Sequence, residues 1–249
     1  MNLGISHRRA IVAAGSAGLG LATARALAGE GVAVAICGRN PDRLNAALAS
    51  LGSGAVAIVA DMSVPGDATR FAAEAQDRLG GTIDIVVANA GGPPPGTALS
   101  TDPDAYRGAL ELNFISGVEL IQAVVSPMRA QRWGRVIAVT SIGARQPIAN
   151  LAASSSARAA MTSFIKTLSL EIAADKVTAN TIQPGLHATD RVLALHGGDP
   201  SGAAASVPVG RLGDAAEFGA AAAFLCSEHA GFITGTSLLL DGGASTALI

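Results

Sequence analysis

Ala10-Ile11-Val12-Ala13-Ala14-Gly15-Ser16-Ala17-Gly18-Leu19-Gly20 passes from a short apolar run into a glycine-rich turn and out into a helical pattern. A strand that ends in glycines and opens a helix lets backbone approach a pyrophosphate, and the helix N-terminus turns its free N–H groups and partial positive charge toward it. Standing after a strand, before a helix and near residue 1, the stretch reads as a dinucleotide-binding turn rather than a plain tight turn. Gly15, Ser16, Gly18, Leu19 and Gly20 are its phosphate-side residues.

Outward from this turn, apolar runs alternate with helix-length amphipathic segments. The runs are Ala10 to Ala14, Val32 to Cys37, Ala55 to Ala60, Ile83 to Ala88, Arg135 to Thr140 and Thr178 to Ile182. The spacing predicts helices over Gly20 to Gly29, Asn40 to Leu51, Asp67 to Leu79, Asp104 to Gln131, Ala153 to Ala174 and Ala215 to Ser227, with a last strand near Ser237 to Leu240. Val- and Ile-rich strands without polar alternation are buried on both faces, as in a parallel sheet between two helix layers. The fold class is therefore α/β: a Rossmann-like, doubly wound parallel sheet in a three-layer αβα arrangement. Ligands of such sheets bind beyond the carboxyl ends of the strands.

The chain has 249 residues, 49% hydrophobic and 14% charged, and no charged or Pro/Ser-rich linker divides it. That favours one domain over residues 1–249. No stretch is read as spanning a membrane, and His7-Arg8-Arg9 leads straight into the first strand without a secretory-type apolar run, so the expected location is cytoplasmic. Cys37 and Cys226 are the only cysteines; they are read as buried free thiols, and no metal site is expected. A net charge of -2 with no basic block argues against nucleic acid and against an anionic membrane surface.

The strand ends carry the next clues. In Ile36-Cys37-Gly38-Arg39-Asn40, a carboxylate would hold the diol of an adenosine ribose, whereas Arg39 suits a 2′-phosphate. NADP(H) is thus preferred over NAD(H), with Arg39 and Asn40 beside it. Asp61-Met62 follows the third run and Asn89-Ala90-Gly91-Gly92 the fourth. Asp61 is placed to accept from the adenine amino group, and Asn89 and Gly91 to leave room for a ribose; each also fits an ordinary turn. Pro93-Pro94-Pro95-Gly96 forces a non-helical excursion. Later, Ser154 and Arg158 stand four apart at the start of a helix whose Ala157, Ala160, Met161, Phe164, Ile165, Leu168 and Ile172 face a core. One can reach a reacting atom while the other holds what lies beneath; the plainer alternative is a solvated helix start with a surface Arg.

Taken together, the glycine turn, Asp61, Asn89-Ala90-Gly91, Asn113, Thr140-Ser141, Pro184-Gly185 with Thr189, and Leu240-Asp241-Gly242-Gly243 resemble, in order and spacing, the short-chain dehydrogenase/reductase family. The likeness is greatest to its branch that reduces β-ketoacyl thioesters. The resemblance implies hydride exchange with a nicotinamide, a homotetramer (or homodimer), a small-molecule substrate, and a tetrad of Asn, Ser, Tyr and Lys. Asn113 and Ser141 match the first two, Ser141 steadying the substrate oxygen. At the Tyr and Lys positions stand Ser154 and Arg158; the only tyrosine, Tyr106, precedes Asn113. The family's first turn glycine falls on Ala14. By the same resemblance Pro184, Gly185 and Thr189 hold the nicotinamide amide, and residues 186–213 form a substrate lid.

A phenol starts near pKa ~10 and an aliphatic hydroxyl is a far weaker acid, so Ser154 does not inherit the tyrosine's role. Arg158 keeps a grip on the ribose and lends charge to an oxyanion. The expected activity is a Tyr-free, NADP(H)-dependent reduction of a ketone or 3-oxoacyl-like carbonyl, or of an imine, whose iminium form needs no proton in the hydride step. The alternatives are an NADP(H)-binding protein without turnover, acting as partner subunit or sensor, and a non-redox lyase or isomerase. His187 is the one nearby side chain that titrates near neutrality.

Overall fold

The apolar runs assemble into seven parallel strands in a computed structural model that describes residues 1–195, 197 and 199–248. The strands are β1 (Arg9–Val12), β2 (Ala33–Gly38), β3 (Val56–Val59), β4 (Ile85–Ala88), β5 (Gly134–Val139), β6 (Val177–Pro184) and β7 (Ser237–Leu240), in the order β3-β2-β1-β4-β5-β6-β7. β1 pairs on one side with β2 and on the other with β4, so Val12 lies level with both Ile36 and Val87. The chain reverses its winding there, and the crevice beyond those strand ends is where such sheets take ligands.

The interior strands β1, β2, β4 and β5 are almost wholly buried, because helices cover both faces. One face carries α1 (Gly18–Gly29), α2 (Pro41–Leu48) and α9 (Ala215–Leu225), packed through Ala24, Leu27, Leu44 and Phe218 onto Val12, Val34 and Ile36. The other carries α3 (Asp67–Leu79), α5 (Ser116–Ala130) and α6 (Ala152–Ile172), packed through Phe71, Leu120, Val124, Met161 and Ile165 onto Ile11, Val86 and Val136. The expected three-layer architecture is what forms. Cys37 and Cys226 are both buried free thiols.

Two expectations are corrected. The segment predicted as one helix over Asp104 to Gln131 does form one, made of α4 (Pro103–Leu110), a π turn at Glu111–Ile115 and α5, and what is corrected is its apolar length. Together they make a 28-residue helix, Pro103–Ala130, long and apolar enough by length and composition to cross a membrane, which the sequence reading did not find in any stretch. The physical reason for its apolarity is packing: Leu120, Ile121, Val124 and Met128 are core. The second correction concerns Asn40. It does not begin α2 but caps it, Oδ1 accepting from the Arg43 N–H, with Pro41 at the first helical position. That commits one oxygen of a residue assigned to the nucleotide.

Residues 190–205 contribute α7 (Asp190–Leu195) and α8 (Pro200–Ala205). The root of the 186–213 segment is pinned by a bridge between His187 and Gly213, with Ala188 N–H donating to Gly213 O and Gly213 N–H to Leu186 O.

Candidate active site

At the glycine turn the backbone, not a side chain, does the shaping. Gly20 carries no Cβ because one would lie 2.4 Å from Ala14 O and 2.7 Å from Asn89 Nδ2. Asn89 crosses the switch point to donate to Ala13 O and Ala14 O at 3.1 and 3.4 Å, so it braces the turn rather than standing clear of it. Gly18 has φ +54°, and Ala17, the residue before α1, supplies no side-chain cap. The first-turn N–H groups of α1 are therefore left for an external acceptor, the arrangement that suits a phosphate. Ser16 packs over Gly38, where an added Cβ would come 2.7 Å from its Oγ, and this sets the end of β2 against the turn.

Ala14 has φ +46°, a left-handed conformation that costs an alanine roughly 1 kcal/mol and a glycine little. Ala14→Gly is thus expected to raise the melting temperature by about 2–4 °C, read by calorimetry; an unchanged or lower value contradicts strain at this position.

Beside the turn, Arg39 is 77% exposed and its Nη1 lies 4.0 Å from Asp61 Oδ2. Asp61 spends Oδ1 on the N–H and hydroxyl of Ser63. Met62 is buried in the wall of a pocket shared with Ala13, Asn89, Leu112, Asn113, Ser116, Val139 and Arg158. Pro184 closes β6, and Gly185 passes so close to Asp241 that a Cβ would fall 2.7 Å from its Cβ. Thr189 approaches the turn itself: its methyl is 3.7 Å from where a Cβ on Gly18 would stand. Gly91 has open space around it. Of the residues named from the sequence, Met62, Asn89, Asn113 and Arg158 thus line one pocket, Gly18 and Thr189 approach each other, and Arg39 stands beside Asp61.

Asn113 sits inside the π turn, a widening of the helix that re-aims side chains and frequently marks functional positions. It is 8% exposed, and neither Oδ1 nor Nδ2 has a partner. Ser141 begins a short 3-10 turn, Oγ accepting from Gly143 N–H at 3.0 Å, which leaves its O–H free to donate. Ser154 and Arg158 lie on the buried face of α6, 9% exposed each, so the surface-Arg alternative does not hold. The guanidinium of Arg158 donates from Nη1 to Val139 O and Thr140 O, both at 2.9 Å, and from Nη2 to Ala90 O at 3.5 Å. It thereby ties the ends of β4 and β5 to α6. Burial pushes its pKa down to about 10, and the nearby charge of Arg191 adds to this, yet it stays protonated at neutral pH.

Two residues escaped the sequence reading. Ser155 Oγ and Ser141 Oγ flank Gly143, 2.9 and 3.3 Å from an added Cβ. Arg191, in the first turn of α7, donates from Nη1 to Gly92 O and from Nη2 to Pro93 O, both at 2.9 Å, and so ties α7 to the loop after β4. Its only sequence signal is a long cation two residues beyond Thr189 in a segment of small side chains. His187 is buried, its Nδ1 3.2 Å from Gly185 O and its ring edge-on to Phe218. Burial lowers its pKa, so near neutrality the imidazole holds no extra proton to give. Tyr106 packs on Ala109, Ala153 and Ala157 with its hydroxyl toward Ala98 O. Among the described residues no cluster of His, Cys, Asp and Glu could hold a metal ion.

Comparison with known proteins bears on the family and the fold. Residues 13–245 match the family described as enoyl-(acyl carrier protein) reductase. The dehydrogenase/reductase SDR family member 4 of Oryctolagus cuniculus is 33% identical over 98% of this chain and 96% of its own. The 3-oxoacyl-(acyl-carrier-protein) reductase FabG of Vibrio cholerae is 32% identical over 97% and 98%. The structure of L-sorbose reductase from Gluconobacter frateurii, complexed with NADPH and L-sorbose, superposes with a TM-score of 0.92 over 100% of both chains at 30% identity.

Proposed function

The chain belongs to the short-chain dehydrogenase/reductase family of oxidoreductases, and we propose that it delivers hydride from NADPH to a ketone, 3-oxoacyl-like or imine carbon at a site without a tyrosine. One observation carries the reading: the uncapped start of α1 and a pocket lined by Asn89, Asn113 and Arg158 share the crevice at the β1/β4 switch point. NADPH, when bound, supplies the hydride. Relatives that bear NADPH in the crystal, such as the sorbose reductase, support that choice of nucleotide.

On this reading the α1 N–H groups and Thr189 receive the diphosphate side, and Gly185 lets backbone come close to the amide. The Ser141 hydroxyl donates to the substrate oxygen. Arg158 has Nε and one Nη2 N–H left after its bonds to carbonyls. These lend positive charge to the developing oxyanion. Ser154 touches the same face and orients substrate or water, with the proton coming from solvent. Thr189 and the 186–213 segment, of which residues 196 and 198 lie outside the described residues, serve as a substrate lid, and the assembly is a homotetramer or homodimer.

Arg39 gives a direct check on the nucleotide. As an exposed cation without a firm partner, it is free to take a 2′-phosphate through charge-assisted bonds. Arg39→Ala is expected to weaken NADPH binding about 10- to 100-fold, the loss of one or two charge-assisted hydrogen bonds, and to leave NADH unchanged. Titration of the reduced cofactor's fluorescence reads both; equal losses for the two would remove Arg39 from phosphate recognition.

A second reading, NADP(H) binding without turnover, draws on the same Arg158 bonds, which serve the fold whether or not chemistry follows. NADPH oxidation over β-ketoesters, diketones, quinones and cyclic imines, with Ser154→Ala and Arg158→Ala alongside, separates the two. Turnover that falls in both variants supports the reductase; firm NADPH binding with no turnover on any compound supports the silent protein.

A further inference from the structure

Two guanidinium groups come near each other at this crevice, and among the described residues no carboxylate pairs with either. Arg158 bonds only to neutral carbonyls, and the one ionisable neighbour acting on it is Arg191, which repels it. Arg191 bonds only to the carbonyls of Gly92 and Pro93. Neither appears in the ion pairs formed among the described residues. Their acceptors, Ala90 on one side and Gly92 with Pro93 on the other, are neighbours in a single loop, so the two cations stand close together.

A buried charge is ordinarily offset by a partner of opposite sign, and a like charge nearby raises its cost; Arg158 is the buried one of the two, and Arg191 reaches it from the exposed side. Carbonyl dipoles meet part of that cost here. A neutral ketone or a ribose diol would leave the rest unmet, whereas an anion would offset it. A second observation lies on the Arg158 side. Asn113 is 92% buried, lines the pocket with Arg158, and has neither amide atom satisfied. An unpaired buried amide costs ~1–3 kcal/mol, so a ligand that accepts from Nδ2 is favoured there. Nε and one N–H on each Nη of Arg191, and Nε and one N–H on Nη2 of Arg158, remain unspent, which suits the two oxygens of a carboxylate.

We propose that Arg191, Arg158 and Asn113 form a carboxylate subsite, and that the substrate is an oxo acid whose carboxylate is fixed there beside the carbon that takes hydride. The inference rests on the reductase reading and names its substrate class. It also accounts for a site that does without a phenol, because two fixed cations stabilise the oxyanion that forms next to the bound carboxylate.

The test compares acids with their methyl esters: phenylpyruvate and levulinate against methyl phenylpyruvate and methyl levulinate, titrated calorimetrically into protein saturated with NADP+. At least one acid is expected to bind ten times more tightly than its ester or better. Arg191→Gln should abolish that preference while changing ester affinity less than twofold, and Arg191→Lys, which keeps the charge, should retain part of it. Equal affinity of both acids with their esters overturns the proposal, as does a preference that survives Arg191→Gln. The diphosphate of the cofactor is the competing anion. A preference present in free protein and lost once NADP+ is bound assigns the cations to the diphosphate and likewise overturns it. NADPH affinity is read separately by fluorescence. If NADPH does not bind, the reductase reading fails, and the comparison in free protein decides the subsite by itself.

Discussion

Ser154→Tyr is expected to raise turnover of a ketone substrate by about 10²- to 10⁴-fold near neutral pH, the usual worth of a positioned general acid. Ser154 occupies the buried face of α6 one turn before Arg158, so a phenol there would lie beside a permanent cation. That field favours the phenolate and draws a pKa near ~10 downward, toward a range where proton transfer to an alkoxide is effective. The Ser154 hydroxyl makes no hydrogen bond among the described residues, so its loss removes no bond. Ser154→Phe is the control: it adds the ring without the acid and should bring no gain. Imine reduction, which needs no proton in the hydride step, should stay within a few fold in both variants. A Tyr variant no faster than the Phe variant on any ketone that the parent turns over would show that the missing acid does not limit the reaction.

The legibility of this chain in its sequence follows the range of the interactions involved. Strands buried on both faces announce themselves as Val- and Ile-rich runs, and the glycine turn does so because Gly20 has a rigid steric reason to be glycine: the Ala14 carbonyl stands where a Cβ would be. The relation between Ser154 and Arg158 was legible for a similar reason, since helical periodicity fixes a shared face. What stayed hidden depends on contacts between distant segments. Asn89 bracing Ala13 and Ala14, Arg158 reaching Val139, Thr140 and Ala90, and Arg191 reaching Gly92 and Pro93 are decided by strand order, not local pattern. The π turn was hidden too. A single extra residue in a helical turn barely alters the periodicity over 28 residues, though it decides where Asn113 points. Asn40 was misplaced by one position because an N-cap Asn followed by proline looks from the sequence much like a helix's first residues.

Arg158→Ala is expected to lower stability toward urea by about 3 kcal/mol, the scale of breaking a buried, charge-assisted network. Three carbonyls at the ends of β4 and β5 lose their donor, and each unsatisfied buried acceptor costs ~1–3 kcal/mol unless water enters. Two effects oppose this. A buried cation and its repulsion by Arg191 disappear together, and the emptied space lies next to a crevice from which water can reach the freed oxygens. Loss should still win, because the carbonyls come from the end of β5 and the loop after β4, which Arg158 joins to α6. Arg158→Lys separates charge from geometry: an ammonium restores the charge but cannot span all three oxygens, so stability should lie between parent and alanine variant. Urea midpoints measured with and without saturating NADPH complete the argument. If the arginine also grips the cofactor, NADPH will stabilise the parent more than the alanine variant. Equal stabilisation would confine Arg158 to holding the strand ends, and a loss below about 0.5 kcal/mol would deny it even that role.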